Sequence, residues 1–464
     1  MTEETWHEAR LIPTSGINGA EEQERRATSA LLAVMSSVRE FGRTLTKPFG
    51  APAGTLETYI EVPFQLAEQR LFPDGLIRAS RGKKSWTALV EVKTSNNTLQ
   101  TAQIENYLDI AKENGFDALI TISNEIAPVV DQHPTKVDKR KLRKVSLHHL
   151  SWTRVLTEAV MQKEFRGVAD PDQAWILGEL IRYLEHPRSG AMEFEDMGDS
   201  WVSVRDAVRT GTLRASDKGL RETVSRFDAL VRYASLQLGR RLGAEVSPVL
   251  SRKERADPSL HTASLTKSLV DEGVLVGEIK IPNTVGTLVM TADLRARSLT
   301  CHVDIDAPRE GRPKTRVNWL LRQLKNAPDQ LRVEVFSARS RGPGATELIS
   351  LAREDPMVLL PDPAREPKSF RIALSTSMGL KRGRGQGAFI DSAVDLIDTF
   401  YADVMQNLKA WAAAPPRMRA EPVTPVEEEI DPPTLASTAY SSQDGAHTAN
   451  SEVGSEKEAH PLQA

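Results

Sequence analysis

Residues 73–93 read PDGLIRASRGKKSWTALVEVK, a pattern that predicts a β-hairpin. Apolar residues alternate with polar ones on both sides of a short polar turn, as in two antiparallel strands. With the turn centred between Gly82 and Lys83, the pairing register places Asp74 directly across from Glu91. The hairpin therefore predicts two acidic side chains in close contact.

The second strand of this hairpin carries its charged side chains on one face. Side chains two residues apart along a strand project to the same side, so Glu91 and Lys93 point together while Val90 and Val92 point away. Two carboxylates about 4 Å apart repel by roughly 4 kcal/mol at an effective dielectric of about 20, and solvent reduces this figure. A divalent cation between Asp74 and Glu91 reverses the sign, which predicts a metal site.

Pro73-Asp74 followed by Glu91-Val92-Lys93 resembles the signature of the PD-(D/E)xK nuclease superfamily. The resemblance implies an α/β fold in which a restriction-endonuclease-like mixed sheet is flanked by helices. It also implies that Asp74 and Glu91 bind Mg²⁺, with Mn²⁺ as a substitute, and that Lys93 orients or activates the attacking water. The implied activity is hydrolysis of the DNA backbone, in DNA repair or in defence against foreign DNA. RNA stays open as a substrate, because the motif acts on phosphate and does not contact the sugar.

A helix is predicted after the hairpin, capped by Ser95 or Asn97. Its apolar stripe consists of Leu99, Ile104, Leu108 and Ala111. Gln103 and Tyr107 lie one turn apart on an adjacent face and resemble the helix motif of the helicase-associated exonuclease branch, so both are assigned to the catalytic set. A buried strand over 116–123 then completes the order of elements expected for the superfamily.

A first helix is predicted from Glu21 to Phe41, followed by a short strand over 59–64. The superfamily often contributes a glutamate from its first helix to the metal site. Glu24 is our choice for this third ligand because it lies one turn before Thr28, on the side that faces the core. Glu22 and Glu21 are the alternatives.

Each of these features also has a purely structural interpretation. Pro-Asp-Gly is a common turn, Glu-Val-Lys suits an edge strand, and Gln103 with Tyr107 fits a pair on a helix surface. Their joint occurrence in the expected order favours the enzyme. The alternative is a catalytically inactive nuclease-fold protein that acts as a nucleic-acid or protein interaction module.

The chain is expected to divide into five segments. They are an N-terminal extension (1–20), the nuclease-like domain (21–165), a helical connector (166–235), a C-terminal α+β domain of unknown role (236–411) and a disordered, Pro-rich acidic tail (412–464). Connector helices are predicted at 172–183 and 220–242. In the α+β domain we predict strands at 285–294, 298–305 and 331–336, and helices at 317–324 and 389–408.

The net charge of -3 is unevenly distributed along the chain. The predicted tail holds nine acidic and three basic side chains, so the rest of the chain is slightly basic. Two basic runs, Lys136–Lys144 and Lys381–Arg384, are candidate contacts for a DNA backbone. A homodimer and a protein partner for the acidic tail are further candidate interactions.

Cysteine and apolar content indicate the compartment. The single cysteine, Cys301, excludes an internal disulfide and is predicted to be a small core residue. No window approaches the roughly 18 uninterrupted apolar residues of a membrane span, and the N-terminus lacks the pattern of a secretion signal. The sequence therefore predicts a cytoplasmic protein without membrane contact.

Overall fold

The computed structural model describes residues 11–12, 19–127, 133–191, 194–338, 344–362 and 364–413. The chain up to Ala412 forms one compact unit, which has a mixed α/β architecture built on two separate sheets. The predicted tail, apart from residues 412 and 413, and most of the predicted N-terminal extension lie outside the described residues. None of the helices in these ranges is long and apolar enough to cross a membrane.

The first sheet has five strands in the order β1-β4-β5-β6-β7, and β2 and β3 form a separate two-stranded hairpin. The strands are β1 (Thr55–Ile60), β2 (Phe64–Leu66), β3 (Gln69–Leu71), β4 (Gly75–Arg81), β5 (Lys84–Val92), β6 (Ala118–Ser123) and β7 (Ser146–Ser151). β1, β4 and β5 pair antiparallel, whereas β5, β6 and β7 pair parallel. β5 is therefore the strand at which this mixed sheet changes direction.

Helices cover both faces of the first sheet. They are α1 (Ala20–Ser37), α2 (Arg39–Thr46), α3 (Thr101–Glu113), α4 (Trp152–Val160) and α5 (Pro171–Glu185), with a π-helical turn over Met161–Arg166 and short 3-10 turns at Lys47–Phe49, Lys141–Arg143 and Pro187–Ser189. Val90 and Val92 are fully buried in the core formed with α1, α2, α4 and α5. Leu89 is buried in a second core against α3. The two faces of β5 thus alternate as the sequence predicts.

The register of the β4–β5 hairpin is confirmed. Gly75 pairs with Val90 at one end, and Arg81 pairs with Lys84 at the other. The two residues between them, Gly82 and Lys83, form the turn, and Gly82 has a φ of 60°. A two-residue turn with glycine in the left-handed region suits the twist of antiparallel strands.

The first predicted helix is wrong in one respect, because it is broken into α1 and α2. Val38 adopts an extended conformation, with φ -99° and ψ 91°. The hydroxyls of Ser36 and Ser37 both donate to the carbonyl of Ala33, at 2.9 and 2.8 Å. Such bonds compete with the backbone ladder and weaken a helix near its end.

Two other boundaries differ from the predictions. The strand expected at 59–64 is β1, which ends at Ile60 because Glu61 takes a positive φ of 50°. The residue before α3 is Gln100, without a side-chain capping bond. The predicted caps instead contact α1, since the Ser95 hydroxyl donates to Gln23 at 2.6 Å and the Asn97 amide donates to Glu24.

The second sheet has seven strands in the order β13-β12-β14-β11-β10-β9-β8, all paired antiparallel. The strands are β8 (Ser247–Pro248), β9 (Val274–Lys280), β10 (Leu288–Asp293), β11 (Ser298–Asp306), β12 (Arg332–Ser337), β13 (Thr346–Leu348) and β14 (Pro367–Ser377). The helices are α6 (Trp201–Thr210), α7 (Leu220–Leu242), α8 (Arg252–Ala256), α9 (Pro258–Asp271), α10 (Pro313–Gln323), α11 (Ile349–Glu354) and α12 (Phe389–Asp403), with 3-10 turns at Pro356–Leu359 and Met405–Asn407. The predicted strands and helices of this region are present, with shifted ends.

One large core lies between the second sheet and its helices, and it includes residues of α6 and α7. Cys301 is fully buried there, as predicted. Residues of α5 pack instead in the core of the first sheet. The closing helix α12 ends at Asp403 and not near 408, because Val404 leaves helical geometry with φ -123° and ψ -66°.

Candidate active site

Asp74 lies immediately before β4, at the end of the hairpin away from the Gly82-Lys83 turn. Its Oδ2 accepts a hydrogen bond from the backbone N–H of Val92 at 2.7 Å. This contact lies just beyond the paired residues Gly75 and Val90. The carboxyl of Asp74 is thereby fixed beside the last residues of β5.

Glu91 is the most deeply buried polar residue of this cluster. Its side chain is 1% exposed, and within the described part of the chain its Oε2 accepts no hydrogen bond, whereas its Oε1 contacts Lys93. Burial raises the pKa of Glu91 to about 8, and the neighbouring charge of Asp74 adds to the effect. Burial also raises the pKa of Asp74, in spite of the Val92 N–H and the charge of Lys93.

Lys93 is the cation of the cluster. Its Nζ lies 2.7 Å from Glu91 Oε1 and 3.3 Å from Glu24 Oε2. Burial alone would lower the pKa of Lys93, but the carboxylates of Glu91, Asp74 and Glu24 together outweigh it and raise the pKa. Lys93 is therefore an ammonium in the absence of a bound cation.

The backbone of Lys93 is held by elements distant in sequence. Its N–H donates to the carbonyl of Ile122 in β6 at 2.8 Å. Its carbonyl accepts a hydrogen bond from the indole of Trp152, at the start of α4, at 2.9 Å. Trp152 is 1% exposed, and sequence reasoning missed it because no local spacing connects it to the motif.

Glu24 is the acid of α1 that reaches the cluster. Its two oxygens contact Lys93 Nζ and the side-chain amide of Asn97. The alternatives are paired elsewhere, since Glu21 and Glu22 form ion pairs with the arginines four residues later, at 3.4 and 2.8 Å. Glu24 thus joins the cluster through Lys93. Asn97 was considered only as a helix cap, and its place beside Glu24 was missed.

Gln103 and Tyr107 form a short hydrogen-bond chain behind Asp74. The Gln103 amide donates to the Tyr107 hydroxyl at 3.3 Å, and this hydroxyl donates to the carbonyl of Phe72 at 3.2 Å. Tyr107 is buried, and burial together with the charge of Glu91 raises its pKa to about 12. The phenol therefore remains a donor and holds the backbone that leads into Asp74.

The donor set suits a hard divalent cation. Mg²⁺ is commonly held by one or two carboxylates, with water and substrate phosphate oxygens completing its coordination. Asp74 and Glu91 supply adjacent carboxyl groups, and Oε2 of Glu91 accepts no hydrogen bond from the described residues. Those residues contain no group of three or more His, Cys, Asp or Glu side chains arranged to hold a metal ion. The fit is therefore to a two-carboxylate site, and Glu24 as a third ligand stays a prediction.

A cleft of about 470 Å³ gives access to this cluster. Its lining includes the less exposed Glu24 and Asp74 and several exposed residues, which we call its rim, among them Ile60, Glu61 and Phe72. Phe72 and Ile60 are 49% and 44% exposed. The cleft thus has an acidic interior and a partly apolar rim.

The two basic runs differ in their surroundings. In the first, Lys141 forms an ion pair with Asp109 of α3 at 2.5 Å, which places the run against the helix that carries Gln103. The remaining basic side chains of this run are exposed: Lys136, Lys139, Arg140, Arg143 and Lys144.

The arginines of the second run are occupied within the protein. Arg382 pairs with Asp196 and Asp199, and Arg384 pairs with Asp391 at 2.5 Å. These charges serve to attach the loop that precedes α12. The second run is consequently a weaker candidate for phosphate contact than the first.

Comparison with known protein families, with characterised proteins and with solved structures finds no match for this chain.

Proposed function

We propose that this protein is a Mg²⁺-dependent phosphodiesterase of the restriction-endonuclease-like type that hydrolyses the DNA backbone. The proposal depends on one observation above all: Asp74, Glu91 and Lys93 meet at the open end of a single hairpin. A lysine beside two buried carboxyls is a costly arrangement for the fold alone, since desolvated charges must be compensated. Clusters of this kind, with strongly shifted pKa values, are frequent at catalytic sites.

Asp74 and Glu91 are the residues that would hold the ion. When bound, Mg²⁺ supplies Lewis-acid chemistry to the phosphate and to the attacking water. A bound cation would offset the cost of burying two carboxylates, so Glu91 would then hold it in the deprotonated form. Mn²⁺ fits the same oxygen ligands.

Lys93 acts as a charged donor and not as a base. Because its pKa is raised, its ammonium keeps the proton at neutral pH. It is placed to donate to the attacking water or to a phosphate oxygen, and its charge offsets the negative charge that develops there. Gln103 and Tyr107 position Asp74 and need not touch the substrate.

The exposed part of the first basic run supports a nucleic-acid substrate. Lys136, Lys139, Arg140, Arg143 and Lys144 lie on the segment that packs against α3. Phosphate contacts from such side chains weaken steeply as salt rises. When DNA and RNA are tested in parallel, we expect cleavage of DNA and none of RNA. Cleavage of RNA would change the proposed substrate but not the proposed site.

Supercoiled plasmid tests the activity directly. The wild-type protein is expected to nick it in Mg²⁺ or Mn²⁺ and not in EDTA, and Asp74→Ala is expected to lose the nicking. Glu113→Ala, which removes an exposed acid at the end of α3, is the matched control and should leave nicking unchanged. Equal nicking by the wild-type protein and Asp74→Ala, with or without EDTA, would eliminate the nuclease.

A catalytically inactive interaction module is the second candidate. The lack of a three-ligand metal cluster among the described residues favours it. This alternative predicts binding of DNA or of a protein in EDTA and no cleavage in any divalent cation. Calorimetric titration with Mg²⁺ distinguishes the enzyme from the interaction module. The enzyme requires an ion, which the wild-type protein should bind and Asp74→Ala should not, whereas the module requires none.

A further inference from the structure

We propose that Phe72 is a stacking platform for an unpaired base of the substrate, so that the site acts on single-stranded DNA. This inference rests on the nuclease function proposed above and names the class of DNA on which it acts. Phe72 lines the same cleft as Asp74 and precedes it by two residues. Its side chain is 49% exposed.

An isolated exposed phenylalanine is ordinary on a protein surface. Phe72 differs because its backbone is fixed while about half of its side chain is open to solvent. The carbonyl of Phe72 accepts the hydrogen bond from the Tyr107 hydroxyl, and the next residue, Pro73, is buried. A ring on a fixed backbone loses little freedom when a ligand stacks on it, and this favours binding.

A cation lies over one face of this ring. The guanidinium of Arg70, in β3, lies 5.2 Å from the centroid of the Phe72 ring. Arg70 is exposed, so its charge is available to a strand phosphate next to a stacked base. An aromatic face with an adjacent basic side chain is the combination that single-strand binding grooves use.

The charges of the rim determine which part of a nucleotide fits there. Two acidic residues of the rim, Glu61 and Glu21, share one arginine, Arg25, which contacts them at 2.7 and 3.4 Å. One negative charge therefore remains unbalanced. This acidic excess disfavours a phosphate next to Glu61 and Glu21 and leaves Arg70 as the nearby phosphate contact. The apolar surfaces of Phe72 and Ile60 therefore suit the uncharged base.

A base inside a duplex cannot reach this platform. Its faces are covered by its neighbours, and unstacking and unpairing it costs a few kcal/mol. An unpaired base has a free face, and stacking on an aromatic side chain stabilises it without sequence preference. The cleft thus selects single strands, or the unpaired parts of a duplex, which include ends, gaps and the stretches that open in supercoiled plasmid.

Fluorescence of an oligonucleotide carrying 2-aminopurine tests the platform without cleavage. In EDTA, the full-length wild-type protein should bind the single strand at least about tenfold more tightly than the same sequence in a blunt duplex, and should quench its fluorescence. Phe72→Ala should weaken single-strand binding by about 5- to 100-fold and abolish the quenching. Phe72→Trp should retain both, and Phe165→Ala, which removes an equally exposed phenylalanine (50%), should change neither.

The two proposals fail in different ways. Wild-type affinity and quenching in Phe72→Ala, or a preference for duplex in the wild-type protein, would overturn the platform even if Asp74→Ala abolishes plasmid nicking. Conversely, the protein could show quenching that depends on Phe72 and yet cut no DNA with any metal ion. This result would support the stacking platform and refute the nuclease function.

Discussion

The ammonium of Lys93 lies 2.7 Å from Oε1 of Glu91, a carboxylate with 1% of its surface exposed. The two side chains leave the same face of the first sheet, at the end of β5 and just beyond it. Their contact balances one negative charge in a cluster that contains three carboxyl groups. Burial raises the pKa of Glu91, and the charge of Asp74 adds to the effect, so a cation that favours the carboxylates should bind here.

Replacing Lys93 should separate catalysis from metal binding. Lys93→Met keeps the length of the side chain without its charge, so we expect plasmid nicking to fall by at least about 100-fold. Mg²⁺ affinity should persist or rise, because the ion no longer competes with the ammonium for Glu91. Nicking rates and calorimetric Mg²⁺ titration measure the two effects. A variant with full nicking would show that Lys93 has only a structural role.

In the metal-free protein, the contribution of Glu91 to stability should fall as pH rises from about 4.5 to about 8. Its folded state retains a proton on Glu91 up to about pH 8, whereas the unfolded state loses it near the ordinary value of 4.5. The folded state thus retains this proton across the window, so the contribution of Glu91 to the free energy of unfolding falls with rising pH. Lys93 stays charged throughout and does not contribute to this slope.

Glu91→Gln should remove this contribution. In EDTA, urea titration should show that the free energy of unfolding of Glu91→Gln increases relative to that of the wild-type protein as pH rises to about 8. Above that pH the difference should stay constant. Saturating Mg²⁺ should flatten the wild-type profile, because a bound ion favours the carboxylate. Parallel profiles for the two proteins in EDTA would show that Glu91 titrates near its ordinary value.

Tyr107→Phe should reduce activity because Tyr107 positions the backbone that leads into Asp74. It keeps the buried ring and deletes the donor to the Phe72 carbonyl, so we expect a stability loss of about 1 kcal/mol. Nicking should fall by about 5- to 30-fold, with kcat more affected than KM, since the carboxyl of Asp74 loses its fixed backbone. Tyr401→Phe, in α12, is the remote control. An unchanged kcat would assign Tyr107 to the core alone.

Gly75 sets the distance between α1 and the start of β4. A Cβ at this position would lie 2.5 Å from Leu32 Cδ1 in α1 and 3.4 Å from Val90 Cβ. Gly75→Ala should therefore cost about 1–3 kcal/mol and move Glu24 away from Lys93. Gly82→Ala is the companion variant, because a Cβ there has open space and only the positive φ is strained. Thermal unfolding and nicking should both rank Gly75→Ala as the more damaging change.

The hairpin and its register could be predicted from sequence because both are local. Strand alternation and the Gly82-Lys83 turn lie within a few residues of each other, and together they determine which side chains face Asp74. The predicted contact of Glu91 with Lys93 has the same origin, since residues two apart in an extended chain share a face.

Other parts of the site depend on contacts that no local pattern records. Trp152 holds the carbonyl of Lys93 across 59 residues of sequence, and Asn97 reaches Glu24 across 73. The helix break at Val38 and the missing cap of α3 likewise result from tertiary contacts and from serine bonds to the backbone. The pairing of Arg382 with Asp196 and Asp199 was equally invisible, so a basic run that looked available is largely neutralised.

The turn at Gly82 and Lys83 is exposed and contacts neither Asp74 nor Glu91, but its length determines whether those two acids meet. One residue inserted there would slide the strands past each other and carry Glu91 to the opposite surface of the sheet. Loops usually accept insertions easily, whereas this distant bend should not. Natural variants and engineered tags are therefore expected to avoid it, even where the surrounding surface tolerates change.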